Sequence, residues 1–529
     1  MTETLTEMLL RTADRRPDHV AISYRGATMT YADLAANAKA FGAGLVDLGL
    51  SRRDRVGIYL EKQLETAVAV FGVAQAGCVF VPVNPALKGP QVAYILRDCN
   101  VKVLVTSKTR LAGLRDVLGE CPDLQEIVLV DGTDGDANGS VAVQGWSGLL
   151  ERGRQSSARP HRIIDIDMAG ILYTSGSTGN PKGVILSHRN VVAGAVSVAT
   201  YLEYRDDDRI LNLPPYSFDF GLNQLMSSVH AGTTAILFNY LLAGDVIKTV
   251  VSEKITGLPS VPSSLIQLSK LPWPAEAAAG LRYISTTGGR MPETAVKAFR
   301  DALPKTDIFL MYGLTESFRS TYLPPSEIDR RPNSIGKAVP NAEILVVRPD
   351  GTPCEPGEPG ELVHRGAFVT LGYWNDPKRT AERFKPAPGQ PAGIPIPELA
   401  VWSGDTVKRD EDGFIYFVGR KDEMIKTSGY RVSPTEVEEV VFASGHVRIA
   451  AAVGVEHDEL GQAIVVFATP PDGAALDATA ITAYCRTQMP TYMVPHKIIE
   501  REDMPINPNG KVDRKKLAEE VATLFKEKV

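Results

Sequence analysis

Tyr173-Thr-Ser-Gly-Ser-Thr-Gly-Asn-Pro-Lys-Gly183 is the stretch whose reading decides the fold. Its small residues and hydroxyls let backbone N–H groups approach an anion closely, and Lys182 adds a mobile positive charge. That is polyphosphate-binding chemistry. A Walker A loop needs G-x-x-x-x-G-K-[ST] and leads from a strand into a helix. Counted from Gly176, Pro181 stands where the second glycine belongs, and Gly183 where the Mg²⁺-binding hydroxyl belongs. The flanks differ too: Ala169 to Tyr173 reads as a strand, and so does Val184 to Leu186, so the loop joins two strands. Taken alone, such a run also reads as a flexible surface turn.

Outward from this loop, strand-like and helix-like segments alternate over the first four hundred residues. Val79-Phe-Val-Pro-Val83 and Val101-Lys-Val-Leu-Val105 look like short buried strands. Tyr31 to Leu48 carries an apolar helical face (Leu34, Phe41, Leu45) and stops near Gly49. The pattern predicts an α/β fold with layered helices and strands rather than a sandwich or bundle. Lys385 to Pro397 holds so many prolines that it reads as a loop outside helix and strand, covering the large domain or inserted without a role. Ser433-Pro-Thr-Glu436 fits a capping box with Pro at the first helical position. Val437, Val440 and Val441 then share one face, Glu438 and Glu439 another, and Gly445 suits the stop. A new element therefore starts after Gly419 to Arg431.

The whole chain of 529 residues is too long for one ordinary core, so at least two domains are expected. Hydrophobic residues at 44% and charged residues at 23% describe a globular protein and exclude a disordered or coiled-coil chain. A net charge of −6 leaves no electrostatic footprint for nucleic acid or an anionic membrane. Five scattered cysteines lack CxxC or metal-ligand spacing and read as reduced thiols of a cytoplasmic protein. No apolar run reaches the roughly 18–20 residues of a membrane helix, and the N-terminus lacks a basic and an apolar signal region.

Further motifs follow in order: Tyr312-Gly-Leu-Thr-Glu316, Gly372-Tyr-Trp374, Ser403-Gly-Asp405, Gly419-Arg-Lys-Asp-Glu-Met-Ile-Lys-Thr-Ser-Gly-Tyr-Arg431 and Asn509-Gly-Lys511. With Thr174 to Gly183 they resemble the signatures of the adenylate-forming superfamily of acyl-CoA synthetases, amino-acid adenylation enzymes and luciferases. The chain is also similar to the AMP-forming ligases encoded with bacterial exosortase systems. The resemblance covers the chain from about residue 20 to its end. It implies a large N-terminal AMP-binding domain over residues 1–420 and a small, mobile α+β lid domain over 421–529, with a hinge near Asp422.

The resemblance also implies roles. Thr174, Ser175, Gly176, Ser177, Thr178, Gly179 and Lys182 would hold the outer phosphates of ATP. Glu316 would hold Mg²⁺, suiting a hard oxygen to a hard cation, and Thr315 would meet the α-phosphate. Tyr312 would pack on the adenine, with Gly288 and Gly289 lining the pocket. Asp405 would accept from the ribose hydroxyls, with Arg420 nearby. Without the motif, Tyr312 reads as a core aromatic and Asp405 as a turn residue. Lys511 would reach between carboxylate and phosphate, although on composition it is an exposed turn lysine. Gly429, Tyr430 and Arg431 would line a channel for a phosphopantetheine thiol, presented when the lid turns.

The acid pocket is drawn from Asp219, Asn223, Ser263, Thr287, Met311 and Arg319, with Ser264 a further candidate. Asp219, in Phe218-Asp-Phe-Gly221, matches the place where amino-acid adenylation enzymes pair an Asp with the substrate ammonium, because a buried cation needs a counter-charge. It reads almost equally well as a cap for a helix from Leu222 to Val229. Arg319 could read a second carboxylate. The implied activity is an ATP-dependent, AMP-forming acid–thiol ligase for a small acid, an amino acid by preference, with CoA or a carrier protein as acceptor. The alternatives are a short-chain or aryl acyl-CoA synthetase and an inactive nucleotide-binding paralogue.

Overall fold

The computed structural model describes residues 3–132, 135–136, 141–174, 181–420, 424–427, 430–457, 460–471, 473–489, 491–507 and 511–525. The chain divides into two compact units. One takes residues 1–344 and 364–401; the other takes 345–363 and 402–529. No helix among the described residues is long and apolar enough to cross a membrane.

The first unit is a layered α/β structure. One of its sheets runs Lys182–Ser187, Met168–Thr174, Val79–Pro82, Arg55–Tyr59, Val101–Thr106, Glu126–Leu129, Ala142–Gly145 and Gly135–Asp136 in spatial order. Its middle is parallel, and its first pair is antiparallel. A second run of strands places Asp307–Tyr312, Tyr283–Thr286, Gly257–Ser260, Arg209–Asn212, Thr234–Leu237 and Val20–Tyr24 side by side and parallel. Parallel strands need both faces covered, which is why these segments read as continuous apolar runs. Val79–Pro82, for example, is buried at every position.

Helices supply the cover. The helix Tyr31–Asp47 buries Leu34, Phe41 and Leu45, the face read from the sequence, and Gly49 follows it with φ +88°. Its start carries a capping box between Thr30 and Asp33. The helix Leu64–Ala76 is buried almost all round, as expected for an element between layers. His188–Tyr201 and Asp219–Ala231 belong to the same core, which includes Val191, Leu222, Leu225 and Tyr201.

The proline-rich stretch needs one correction. Lys385 and Pro386 lie in a short strand, Phe384–Pro386, paired with Leu399–Val401 through Phe384↔Val401 and Pro386↔Leu399. Proline is tolerated there because only one side of this edge strand must donate to a ladder. Beyond it the segment has no regular structure, and Ile394 and Ile396 are exposed.

In the second unit, Ile449–His457 and Gly461–Thr469 form a long antiparallel pair, with Lys497–Glu500 parallel beside the latter. The helix Pro434–Ala443 begins with the Ser433 hydroxyl accepting from Glu436 N, as its sequence predicts, and Val437 and Val441 enter a core with Ile464, Val466 and Ile481. Glu438 is not a solvated charge. Its carboxylate accepts from Ala452 N at 2.7 Å and from Arg514 Nε and Nη2 at 3.0 and 2.8 Å. This fork ties the helix Arg514–Glu520, just after Lys511, to the body of the unit. Glu438→Leu should cost about 2 kcal/mol, the scale of a hydrogen bond to a charged group, read as a lower urea midpoint; an unchanged midpoint would show the fork to be incidental.

Candidate active site

The strands Met168–Thr174 and Lys182–Ser187 flank the glycine-rich loop and pair antiparallel, with Lys182 opposite Thr174. The strand-to-strand reading of the loop therefore holds. Ser175, Gly176, Ser177, Thr178 and Gly179 themselves lie outside the described residues. The loop's exits are firmly held. Tyr173 OH donates to Asp98 Oδ2 at 2.5 Å, and Tyr94 OH to Pro181 O at 3.2 Å. Residues 371–374 run along the outer side of Lys182–Ser187: Ile185 N donates to Gly372 O at 2.9 Å and Trp374 N to Gly183 O at 2.7 Å. Gly372 has φ +111°, and an added Cβ would lie 2.6 Å from Thr380 Cγ2, so only glycine fits this turn.

That register delivers Tyr373 to the centre of the site. Its hydroxyl lies 2.5 Å from Glu316 Oε1 and 2.9 Å from Lys182 Nζ, and Lys182 Nζ is 3.2 Å from the same Glu316 oxygen. Glu316 follows the strand Asp307–Tyr312, in a short turn over Thr315–Ser317. Burial pushes the Glu316 carboxyl up, but the Lys182 charge and the Tyr373 hydrogen bond outweigh it and hold the group below its ordinary value of 4.5. An ionised, oriented carboxylate thus sits beside a cation at the foot of the glycine-rich loop. It is a hard oxygen donor suited to Mg²⁺, which usually takes one or two carboxylates and completes its shell with water and phosphate. Among the described residues no cluster of three or more His, Cys, Asp or Glu could hold a metal unaided.

On the other side of the same turn lies Asp219. The helix Asp219–Ala231 is capped at Phe218 without a side-chain bond, so Asp219 is its first residue and does not act as its cap. Its carboxylate faces Thr315 Oγ1 and Arg319 Nη1, both at 3.4 Å. Burial raises the Asp219 carboxyl, with Arg319 and Thr315 opposing it. Arg319 is 2% exposed; its guanidinium also donates to Phe318 O at 3.1 Å and lies 5.0 Å from the centre of the Phe220 ring. Tyr201 OH lies 2.9 Å from the Sδ of the buried Met311. Asn223, one helical turn beyond Asp219, is 1% exposed, and its Nδ2 and the Phe318 ring would both lie 3.3 Å from a Cβ on Gly194. Phe318 takes φ +53°, a conformation that a bulky residue rarely accepts and that turns the chain sharply between Glu316 and Arg319.

The remaining predicted residues are placed less tightly. Thr287 is buried, Gly288 has φ +90°, and a Cβ on Gly289 would stand 3.5 Å from Pro262, next to the exposed Ser263. Tyr312 ends its strand half-buried. In the second unit, Asp405 is 2% exposed within the strand Leu399–Arg409, not in a free turn; Gly404 kinks that strand with φ +69°, and Asp405 pairs in register with Arg420. Lys511 is exposed, its N donating to Asn507 Oδ1 at 3.1 Å and its carbonyl accepting from Asn507 N at 2.8 Å. Asp422 and Gly429 lie outside the described residues, as do the side chains of Arg420, Tyr430 and Arg431.

Two contributors received no role from the sequence. Tyr373 sits in a quoted motif, yet nothing local reveals that its hydroxyl meets Glu316. Lys62 is 6% exposed and donates from Nζ to Leu213 O at 2.7 Å and Pro214 O at 3.3 Å, bracing the segment that leads to Asp219. Burial lowers its ammonium to about 7.

The family model described as AMP-binding enzyme matches residues 9–374, and the AMP-binding enzyme C-terminal domain matches 436–511. The chain is 33% identical to the L-proline–[L-prolyl-carrier protein] ligase of Streptomyces coelicolor, over 92% of this chain and 91% of that protein. It is 28% identical to gramicidin S synthase 2 of Brevibacillus brevis over 97% of its own length, but spans only 11% of that much longer protein. Its fold superposes with a TM-score of 0.86 on the anthranilate CoA ligase AuaEII in complex with anthranoyl-AMP, at 25% identity and covering 99% and 98% of the two chains.

The depressed Glu316 carboxyl ties the cluster to stability. Its pairing stabilises the fold above pH 4.5 and is lost as pH falls through the lower, folded value. Lys182→Met and Tyr373→Phe should each shrink the gain in urea midpoint between pH 3 and pH 7 (about the range that brackets carboxylate titration). A gain equal to that of the unaltered chain would remove the cluster's electrostatic role.

Proposed function

We propose, for a chain that belongs to the AMP-binding enzyme family and is an ATP-dependent ligase of the adenylate-forming kind, that it joins a small carboxylic acid to a phosphopantetheine thiol through an acyl-adenylate. The observation that carries this reading is the Lys182–Glu316–Tyr373 cluster beside Thr315 and Asp219. It sets a cation and an ionised oxygen next to the buried polar side chains of Asp219 and Arg319, which is what bringing two anions together requires.

ATP with Mg²⁺ supplies an electrophilic α-phosphorus and pyrophosphate as leaving group. Lys182, with the loop residues Thr174, Ser175, Ser177 and Thr178, offsets the charge of the outer phosphates. Glu316 holds the metal, oriented by Tyr373. Thr315, between Glu316 and Asp219, meets the α-phosphate. One carboxylate oxygen of the acid bonds to the α-phosphorus as the bond to the β-phosphate breaks. Lys511, held in its turn by Asn507, offsets the charge on both reacting groups. In the second step the thiol sulfur bonds to the acyl carbon, AMP leaves, and the thiol proton is released. Turning of the small domain about Asp422, which brings up Gly429, Tyr430 and Arg431, serves this step. Asp405 and Arg420 hold the ribose, and Tyr312 with Gly288 and Gly289 the adenine.

The similarity to a prolyl-carrier protein ligase favours a carrier protein as acceptor, and the fold similarity to a CoA ligase favours CoA; both present the same thiol. An amino acid is the second reading of the substrate. It is favoured by the similarity to a prolyl-carrier protein ligase.

Purified protein given Mg²⁺, ATP and a library of small acids should exchange labelled pyrophosphate into ATP with some of them; release of ADP instead of AMP would refute the reading. Lys511→Ala should slow adenylate formation by about 10²–10³ while largely sparing thioester formation from supplied adenylate. Equal loss of both steps would reassign Lys511. Tyr373→Phe should lower exchange about tenfold or more, since it removes a hydrogen bond to a charged group. It should also shift the acidic limb of the pH profile upward, because Glu316 then protonates more readily.

A further inference from the structure

Among the residues assigned to the acid, the chain has already matched its own charges. Asp219 and Arg319 carry opposite formal charges, 3.4 Å apart. Arg319 is buried on the Phe220 ring and donates to Phe318 O, which holds it beside Asp219. A substrate ammonium would add an uncompensated positive charge to this buried pair, and a second carboxylate a negative one. Either is costly at a site shielded from bulk solvent.

Hydrogen-bond donors, by contrast, are left over. Arg319 Nε and Asn223 Nδ2 are fully buried and have no partner among the described residues. Asn223 spends its oxygen on the Ser227 hydroxyl at 3.2 Å, so the group it leaves available is a donor. Asp219 and Asn223 lie one turn apart on one helix face, and Asn223 Nδ2 and the ring of Phe318, which precedes Arg319, both pack against Gly194. Buried donors are rarely left unpaired in a finished structure without a functional reason.

We propose that the acid taken by this site bears, beyond its reacting carboxylate, an uncharged hydrogen-bond acceptor such as a carbonyl, hydroxyl or ether oxygen, read by Arg319 Nε and Asn223 Nδ2, and no second formal charge. The inference rests on the ligase reading above and names the substrate class within it. It also gives Asp219 a different role, in which the carboxylate holds the Arg319 fork in place.

Pyrophosphate exchange on matched sets of acids tests it. On one short aliphatic and one benzoate skeleton, four acids are compared: unsubstituted, hydroxy- or keto-substituted, ammonium-bearing and dicarboxylic. The hydroxy or keto acid should exceed the unsubstituted acid by about tenfold or more in kcat/KM, as expected where a site is built to bond a substrate oxygen. The two charged acids should fall below the unsubstituted one. In Asn223→Leu and Arg319→Met the ratio of oxygenated to unsubstituted acid should fall towards one, whatever happens to the overall rate. Fastest exchange with the ammonium-bearing or dicarboxylic acid overturns the inference and leaves the ligase reading standing. So does a ratio near one in the unaltered enzyme, or one that survives both substitutions. No exchange with any acid removes both readings together.

Discussion

The contact on which the site depends is the three-way meeting of Lys182, Glu316 and Tyr373. Its members come from three distant parts of the chain: the exit of the glycine-rich loop, the turn after Asp307–Tyr312, and a segment laid along Lys182–Ser187. Each is fixed by backbone bonding before any side chain is considered. Strand pairing sets Lys182 opposite Thr174, the bonds of Ile185 and Trp374 set Tyr373, and Thr370 N donating to Glu316 O at 3.0 Å ties the last two segments together. A charged group placed by the main chain keeps its position when its partner changes. A site that must receive a highly charged nucleotide needs that property.

The same turn serves two purposes. Glu316 meets Lys182 and Tyr373, while Arg319, three residues on, meets Asp219. The positive φ at Phe318 is what separates them over so few residues. Gly313 makes this close folding possible, since a Cβ there would lie 2.4 Å from Phe318 O. Strain is thus stored between the two halves of the site and held by the surrounding core, in which Phe318 is fully buried.

Local chemistry made much of this legible. The strand-to-strand reading of Tyr173–Gly183 rested on apolar runs on both flanks, and those runs are the paired strands of the structure. Ser433 and Pro434 marked a helix start because capping is satisfied within one turn. Readings that needed a distant partner fared differently. Asp219 could be read as a cap or a counter-charge, and Glu438 only as lying on the face opposite the valines. Their actual partners, Arg319 and Arg514, lie about 100 and 76 residues away. Pro386 could be read as barring a strand, because nothing in the sequence says which strand has an open edge.

By itself, then, the sequence determined the α/β layering, the motifs in their order and the membership of the AMP-binding enzyme family. Each of these is written in periodicity, in turn residues or in short runs whose meaning is local. Only the tertiary structure decided that Tyr373 orients Glu316, that Lys62 braces the approach to Asp219, and that Asp219 and Arg319 neutralise one another. The physical reason is that charge matching and burial are properties of pairs. A carboxylate's partner is set by which chain segments the folded core brings within a few ångströms, and no run of neighbouring residues encodes that distance.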